Sequence, residues 1–170
     1  MKDLTLKPAV SDDFEDYYKI RCSPGDIYWN GYTAKPDRES FQNLFLNRLG
    51  NAPFEKPEDR RIYLIQLVDE DDADSIGFVQ LINRSDGIDI GYTVTEEYQG
   101  KGYATQALRL GTEIAKKMDH RIYVQIRDDN IASQCVAKKC GFVETDEYEK
   151  NDYPGAGVVK LRKHRLIIEG

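Results

Sequence analysis

The alternation of apolar and polar residues in the first third of the chain predicts one strand, two helices and an aromatic loop. Phe14, Tyr17 and Tyr18 have the spacing of one helix face, and Ser23-Pro24-Gly25 is expected to end that helix. The next segment combines aromatic residues with glycines and prolines, which is typical of a loop. The expected elements are a strand at residues 4–8, a helix at 14–22, the aromatic loop at 23–36 and a helix at 36–49.

The middle of the chain predicts three strands joined by turns. Apolar side chains alternate in each strand, and Asp86-Gly87 between the second and the third is a strong hairpin signal. An acidic run at residues 69–74 lacks the ligand spacing of a calcium-binding loop, so we expect a solvated turn there. The expected strands are residues 61–68, 75–83 and 88–95, after a connection at 50–59.

The last third of the chain predicts a helix between two parallel strands. Apolar residues from Gly102 to Met118 fall on one broad helix face, and Arg121–Arg127 alternates as a strand. A strand–helix–strand unit of this length forms a right-handed crossover, so its two strands should be parallel. A short helix capped by Asp129 or Asn130 should follow, and then an antiparallel pair at 142–148 and 158–168. We therefore expect a single α/β domain that covers residues 1–170.

Residues Gln99–Thr105, which read Q-G-K-G-Y-A-T, lie between a strand pattern and the start of the long helix. Two glycines allow a tight turn, and a helix start presents about four unpaired N–H groups and roughly half a positive charge. This combination binds anions, most often phosphate. The stretch matches neither the P-loop nor the dinucleotide fingerprint, so a different phosphate-bearing ligand is expected.

The spacing of Gln99, Gly102 and Ala104 resembles the Q/R-x-x-G-x-G/A signature of the GCN5-related N-acetyltransferases, the GNAT family. Two further blocks resemble the family in order and spacing, namely I-D-I-G-Y-T-V-T-E-E-Y upstream and D-D-N-I-A-S-Q-C-V-A-K-K-C-G-F downstream. The start L-T-L-K-P-A-V-S-D-D is similar to the subgroup that includes the ribosomal-protein N-terminal acetyltransferases. The resemblance implies a mixed, mostly antiparallel sheet with helices on both faces and a splayed central pair of parallel strands.

The resemblance also implies that acetyl-CoA is the co-substrate and that the glycine turn holds its pyrophosphate. The residues of the turn that would bind it are Gln99, Gly100, Lys101, Gly102, Tyr103, Ala104 and Thr105. Backbone groups of Thr93, Val94 and Thr95 should meet the pantetheine arm. Asn130 and Ser133 have two compatible interpretations, because they can cap a helix and also hydrogen bond the pantetheine. No metal ion is expected.

Acetyl transfer needs a proton acceptor for the amine and a proton for the leaving thiolate, and the sequence offers few candidates. Ala137 stands where many family members have a tyrosine acid, and Gln125 stands where some have a glutamate. Asp89 is the remaining carboxylate on the strand before the glycine turn, and it can accept the amine proton directly or through water. Glu96 and Glu97 are other candidates, although charged residues in such a loop commonly face solvent. The alternative is that Asp89 is only a polar residue at a hairpin edge.

The aromatic loop supplies the candidate acceptor-binding residues Tyr28, Trp29 and Tyr32. The resemblance places this segment at a wall of the acceptor cleft, and aromatic faces attract cationic amines. The alternative is that Trp29 is a core residue. The acceptor amine can be a small molecule or a protein N-terminus, and a homodimeric assembly is left open.

Composition narrows the class of protein without selecting a substrate. A net charge of −6 argues against a nucleic-acid surface and is compatible with a cationic amine. No apolar run reaches the ~20 residues of a membrane span and the start lacks a signal peptide's apolar centre, so we expect no membrane association and a cytoplasmic location. Cys22, Cys135 and Cys140 lack the spacing of a zinc site or a disulfide framework, and His120 and His164 are expected at the surface.

The sequence therefore predicts an N-acetyltransferase that moves an acetyl group from acetyl-CoA to a primary amine by direct attack within a ternary complex. Ala137 and Gln125 also favour an alternative, a non-catalytic acyl-CoA-binding regulatory domain. A nucleotide-binding module is a second alternative, against which the missing P-loop lysine–serine pair counts.

Overall fold

The computed structural model describes residues 2–69, 74–119 and 121–168. The strands in these ranges are β1 (Leu4–Pro8), β2 (Arg60–Leu67), β3 (Gly77–Arg84), β4 (Gly87–Val94), β5 (Ile122–Arg127), β6 (Phe142–Tyr153) and β7 (Gly157–Leu166). The helices are α1 (Phe14–Arg21), α2 (Pro24–Trp29), α3 (Arg38–Leu46), α4 (Tyr103–Lys116) and α5 (Ile131–Lys139), with short 3-10 turns at Ser11–Asp13 and Glu96–Tyr98. The strands form one sheet in the order β1-β2-β3-β4-β5-β7-β6.

Both faces of the sheet are covered by helices, because apolar side chains emerge on both sides of the central strands. Ile62 and Phe78 pack on one face with residues of α1 and α3. Ile90 and Val124 pack on the other face with residues of α4, among them Leu108. Burying a large apolar side chain of this kind contributes about 1.5–3 kcal/mol, so the two layers hold the sheet rigidly between them.

The two central strands are parallel over a short distance and then separate. β4 and β5 pair only at Ile88 with Ile122 and at Asp89 with Tyr123, whereas the remaining strand pairs are antiparallel. Beyond Asp89 the β4 edge that faces β5 has no strand partner in the described part of the chain. The predicted fold class is confirmed, including the splayed parallel pair.

The prediction of an aromatic loop at residues 23–36 is wrong, because Pro24–Trp29 forms helix α2. The first helix does end before Ser23-Pro24-Gly25, at Arg21, but Pro24 then begins α2, since a proline at the first helical position has its φ already set and loses no hydrogen bond. Tertiary contacts hold the short helix in place. The Asp26 carboxylate accepts a hydrogen bond from Thr93 Oγ1 at 3.1 Å, and Arg127 Nη1 donates to the Tyr28 carbonyl at 3.2 Å.

Other boundaries also differ from the prediction. α3 begins only at Arg38, because the Asp37 side chain caps it by accepting from Ser40 N at 3.0 Å. The connection expected between the strands at 142–148 and 158–168 is shorter, since β6 extends to Tyr153 and β7 begins at Gly157. His164 is buried instead of exposed, and burial lowers its pKa. Residues 70–73 of the acidic run and His120 lie outside the described residues.

Candidate active site

Two adjacent cavities meet at the gap between β4 and β5. The larger cavity has a volume of ≈ 560 Å³ and is lined by the glycine turn, the end of β4, α2 and α5. The smaller cavity has a volume of ≈ 270 Å³ and lies over Asp89 and the facing part of β5. Residues that line both cavities mark their junction; they are Trp29, Tyr92, Thr93, Asn130 and Ser133.

The glycine turn gives the larger cavity a row of free backbone donors. Gly100 and Gly102 have φ values of 73° and 84°, a region that glycine adopts without the strain of a side chain. The first hydrogen bond of α4 runs from Gln106 N to Gly102 O at 3.2 Å. The N–H groups of residues 103–105 therefore precede the bonding pattern of the helix and are available to an anion.

The end of β4 forms the wall beside this turn. Gln99 Nε2 donates to the Val94 carbonyl at 2.8 Å, which ties the turn to the strand. Thr95 bonds back to Ile76 O through both its N–H and its hydroxyl, at 2.9 and 3.2 Å. Lys101 Nζ donates to the Glu97 carbonyl at 3.2 Å. Thr95 is thus held toward Ile76, Lys101 is exposed, and neither is among the residues that line the larger cavity.

The other residues predicted to bind the cofactor line the larger cavity together. They are Thr93, Val94, Gln99, Gly100, Gly102, Tyr103, Ala104, Thr105, Asn130 and Ser133. Lys139 at the end of α5 also lines this cavity and brings a positive charge to it. The cofactor-binding role of these residues stays a prediction.

Three residues at the junction, Tyr92, Asn130 and Ser133, are linked by hydrogen bonds. Asn130 Oδ1 accepts from Ser133 N at 3.2 Å and so caps α5. The hydroxyls of Ser133 and Tyr92 share a hydrogen bond of 2.6 Å, and burial raises the pKa of Tyr92 to about 12. The sequence analysis did not identify Tyr92, because an aromatic residue in an alternating strand is normally a core residue.

Asp89 lies in the smaller cavity, on the face of β4 opposite the apolar residues Ile88 and Ile90. It is only 5% exposed, and its Oδ2 accepts a long hydrogen bond of 3.4 Å from Arg84 Nη2. Burial raises the pKa of Asp89 from 3.8 to about 6, although the charge of Arg84 opposes the rise. A carboxylate with such a pKa is ionised at neutral pH and can accept a proton.

Of the three aromatic residues that were predicted to contact the acceptor, the structure places one, Trp29, in the lining of the two cavities. Trp29 is 36% exposed and lines both cavities. Tyr28 and Tyr32 line neither cavity. The guanidinium of Arg127 lies over the rings of Trp29 and Tyr28, at 5.0 and 5.4 Å from their centroids. The cation–π contact expected from a bound amine is thus already made by a side chain of the protein.

Arginines of the smaller cavity were also missed by the sequence analysis. Arg21, Arg60 and Arg127 line this cavity together with Asp89. Arg127 is fully engaged, because it pairs with both oxygens of Asp129 at 3.0 and 2.9 Å. No local pattern brings these residues together, since they lie on α1, β2 and β5.

Two negative findings complete the description of the site. Among residues 2–69, 74–119 and 121–168, no group of three or more His, Cys, Asp or Glu side chains is arranged to hold a metal ion. Within the same ranges, no helix combines the length and the apolar character needed to cross a bilayer.

Comparisons with known proteins identify the family. Residues 3–143 match the family described as acetyltransferase (GNAT) domain. An uncharacterized N-acetyltransferase of Bacillus subtilis, YobR, is 31% identical over 84 residues, which are 49% of this chain and 34% of that protein. The chain thus spans about a third of the length of that curated relative.

Solved structures share the fold over nearly the whole chain. Spermidine N-acetyltransferase from Vibrio cholerae, in complex with CoA and spermine, has a TM-score of 0.76 and 17% identity, with 96% of this chain and 94% of that chain covered. An acetyltransferase of the GNAT family from Bacillus anthracis has a TM-score of 0.73 and 17% identity, with 98% and 96% covered. On the evidence of the family match over residues 3–143, this chain belongs to the GNAT acetyltransferase family.

Proposed function

We propose that this protein transfers an acetyl group from acetyl-CoA to a primary amine at the junction of the two cavities. The supporting observation is that separate cavities share one set of lining residues at the β4–β5 gap. A thioester in the larger cavity and an amine in the smaller one can meet at that junction. The spermidine N-acetyltransferase of Vibrio cholerae carries CoA in its structure, which supports CoA as the ligand of the larger cavity.

The residues of the larger cavity suit a pyrophosphate followed by a long chain. The free N–H groups at the start of α4 suit the phosphates. A Cβ added to Gly100 would meet no atom within 4 Å, so this part of the turn is open to a ligand. The unpaired edge of β4 offers backbone groups to an extended amide-bearing chain such as pantetheine, in the manner of an added strand.

Acetyl transfer joins the amine nitrogen to the acetyl carbon, breaks the carbon–sulfur bond and moves one proton from nitrogen to sulfur. In this proposal Asp89 accepts the amine proton, directly or through one water molecule. Tyr92 stays protonated at neutral pH and donates its hydroxyl hydrogen toward the leaving sulfur. The bond to Ser133 holds the Tyr92 hydroxyl at the junction. The two groups suit opposite roles because burial leaves one ionised and the other protonated at neutral pH.

A free-thiol release assay with a panel of amines and short peptides, combined with calorimetry of acetyl-CoA binding, tests the proposal. We expect acetyl-CoA to bind and at least one amine to release CoA thiol. Binding without release on every acceptor would favour the non-catalytic acyl-CoA-binding domain. Preferential binding of ATP over CoA would favour a nucleotide-binding module.

The acceptor in this proposal is a small amine or a protein N-terminus. Cys22, Cys135 and Cys140 are free thiols, which supports a reducing compartment such as the cytoplasm. Membership of the ribosomal-protein subgroup and a homodimeric state stay predictions; peptide acceptors and gel filtration check them.

A further inference from the structure

We propose that the amine accepted by this protein carries a carboxylate, and that Arg21, Arg48 and Arg60 bind that carboxylate beside the smaller cavity. This inference rests on the proposed function and names its substrate class. The three residues, called here the arginine cluster, come from the end of α1, the segment after α3 and the start of β2. Arg21 and Arg60 line the smaller cavity.

The carboxylates near the cluster leave part of its charge without a close partner. The Arg60 guanidinium is 3.7 Å from Glu58 Oε2, but both oxygens of Glu58 are held more closely by Arg84, at 2.5 and 2.7 Å. Among the described residues, no carboxylate forms an ion pair with Arg48. Arg21 Nε lies 3.3 Å from Asp26 Oδ2, which is the closest pairing that the cluster has.

The arginines of the cluster also repel one another in a partly buried position. Burial lowers the pKa of Arg48, and the charges of Arg60 and Arg21 lower it further. Burial likewise lowers the pKa of Arg60, with a further contribution from Arg84. Like charges in a half-buried position are costly, so an anion placed among them is stabilised. A guanidinium matches a carboxylate best, because its fork of N–H groups donates two parallel hydrogen bonds.

The same charges disfavour a polyamine. Of the described residues that line the smaller cavity, Asp89 is the one carboxylate, and it shares that lining with Arg21, Arg60 and Arg127. A second ammonium group on the acceptor would therefore lie near cations, even though the whole chain has a net charge of −6. A volume of ≈ 270 Å³ suits an acceptor of about amino-acid size. The expected acceptor has its amine toward Asp89 and its carboxylate toward the arginine cluster.

Matched acid and amide acceptors test this inference. The pairs are glycine and glycinamide, aspartate and asparagine, and glutamate and glutamine, with spermidine as a polycation. We expect the acid of at least one pair to have a kcat/KM about tenfold or more above its amide, as loss of a charged hydrogen bond implies. Arg60→Gln should raise KM for that acid, leave its amide unchanged and remove most of the preference. Arg48→Gln should act in the same direction, and Arg121→Gln, which removes an exposed arginine outside both cavities, is the control.

A binding measurement separates failure of the inference from failure of the proposed function. N-acetylated acids and their amides are titrated, with CoA present, against the parent protein and Arg60→Gln by NMR. Turnover with equal use of acid and amide, or with preference for spermidine, overturns the inference and leaves acetyl transfer standing. If the protein shows neither CoA binding nor turnover, the proposed function fails. The carboxylate site then stands only if the N-acetylated acid binds more tightly than its amide and Arg60→Gln abolishes that difference.

Discussion

Asp89 shows how burial of a single carboxyl group can lower the stability of the folded protein. Its pKa rises from 3.8 to about 6 on folding because burial outweighs the attraction of Arg84. The folded protein therefore holds the Asp89 proton more tightly than the unfolded chain does. The stability contributed by the protonated form is lost as the pH rises from about 4 to about 6, and a shift of this size corresponds to about 3 kcal/mol.

Asp89→Asn should separate activity from stability. The amide keeps a polar group beside Arg84 but cannot accept the amine proton, so kcat should fall by roughly 10²–10⁴ with little change in the acetyl-CoA Kd. The melting temperature should rise or stay constant at pH 7.5, and the parent's loss of stability between pH 4 and 6 should become smaller. Steady-state kinetics and thermal melts across pH measure both effects. Unchanged kcat over the whole pH range would remove Asp89 from the mechanism.

Tyr92→Phe removes one hydroxyl from the junction and keeps the ring. If that hydroxyl donates toward the leaving sulfur, kcat should fall by about 10² while acetyl-CoA binding changes little. Tyr123→Phe is the matched control, because the Tyr123 hydroxyl donates to Asp86 Oδ1 at 2.9 Å and lines neither cavity. Equal activity of the two variants would show that Tyr92 is only a packing residue.

At the scale of elements, the glycine turn and the start of α4 act as one unit. Gly102 caps the helix with a φ of 84°, which aims the following N–H groups into the larger cavity. Gly102→Val should weaken acetyl-CoA binding strongly, because the side chain occupies the approach to these groups. It should also cost about 1–2 kcal/mol through backbone strain.

A second glycine isolates the effect of strain from the effect on binding. Gly157→Val, at the start of β7, imposes a similar strain at φ 72°, and its Cβ would meet no atom within 4 Å. Calorimetry with acetyl-CoA and chemical denaturation should show similar destabilisation in both variants and a loss of binding in Gly102→Val alone. Normal binding by folded Gly102→Val would mean that the CoA site is misplaced.

Helix α2 shows which elements the sequence could not predict. Pro24 was interpreted as a stop, but a helix of six residues depends on its partners more than on local propensity. Those partners are remote, since Thr93 and Arg127 follow their contacts in α2 by 67 and 99 positions. The long helix α4, in contrast, was predicted because its own apolar face is continuous along the sequence.

In the whole molecule too, features set by contiguous residues could be predicted and features set by remote contacts could not. The glycine turn and the parallel strand pair could be predicted, because each follows from contiguous residues and a chirality rule. The junction and the arginine cluster could not, because they join residues that only the folded sheet brings together; Tyr92 and Ser133 are 41 positions apart. The fold and the glycine turn were thus accessible from the sequence, whereas the charge of the smaller cavity depends on tertiary structure.

A contact between two segments that lie far apart in the sequence should affect how the whole molecule binds the acceptor amine. The turn between β6 and β7 touches the segment after α2, where Gly155 N donates to Gly31 O at 2.9 Å. A Cβ added to Gly155 would lie 2.7 Å from Tyr32 O, so even Gly155→Ala must displace the hairpin or α2. Because Trp29 and Tyr153 line the smaller cavity from these two segments, the acceptor KM should rise by roughly tenfold or more.

The acetyl-CoA Kd of Gly155→Ala should change far less than the acceptor KM, since the glycine turn belongs to β4 and α4 and not to the hairpin. Gly157→Ala in the same hairpin is the control, because its side chain has free space. The two constants are measured by calorimetry for acetyl-CoA and by steady-state kinetics for the amine. If both constants rise equally in Gly155→Ala, or if neither rises, the contact between the β6–β7 turn and the segment after α2 does not shape the smaller cavity.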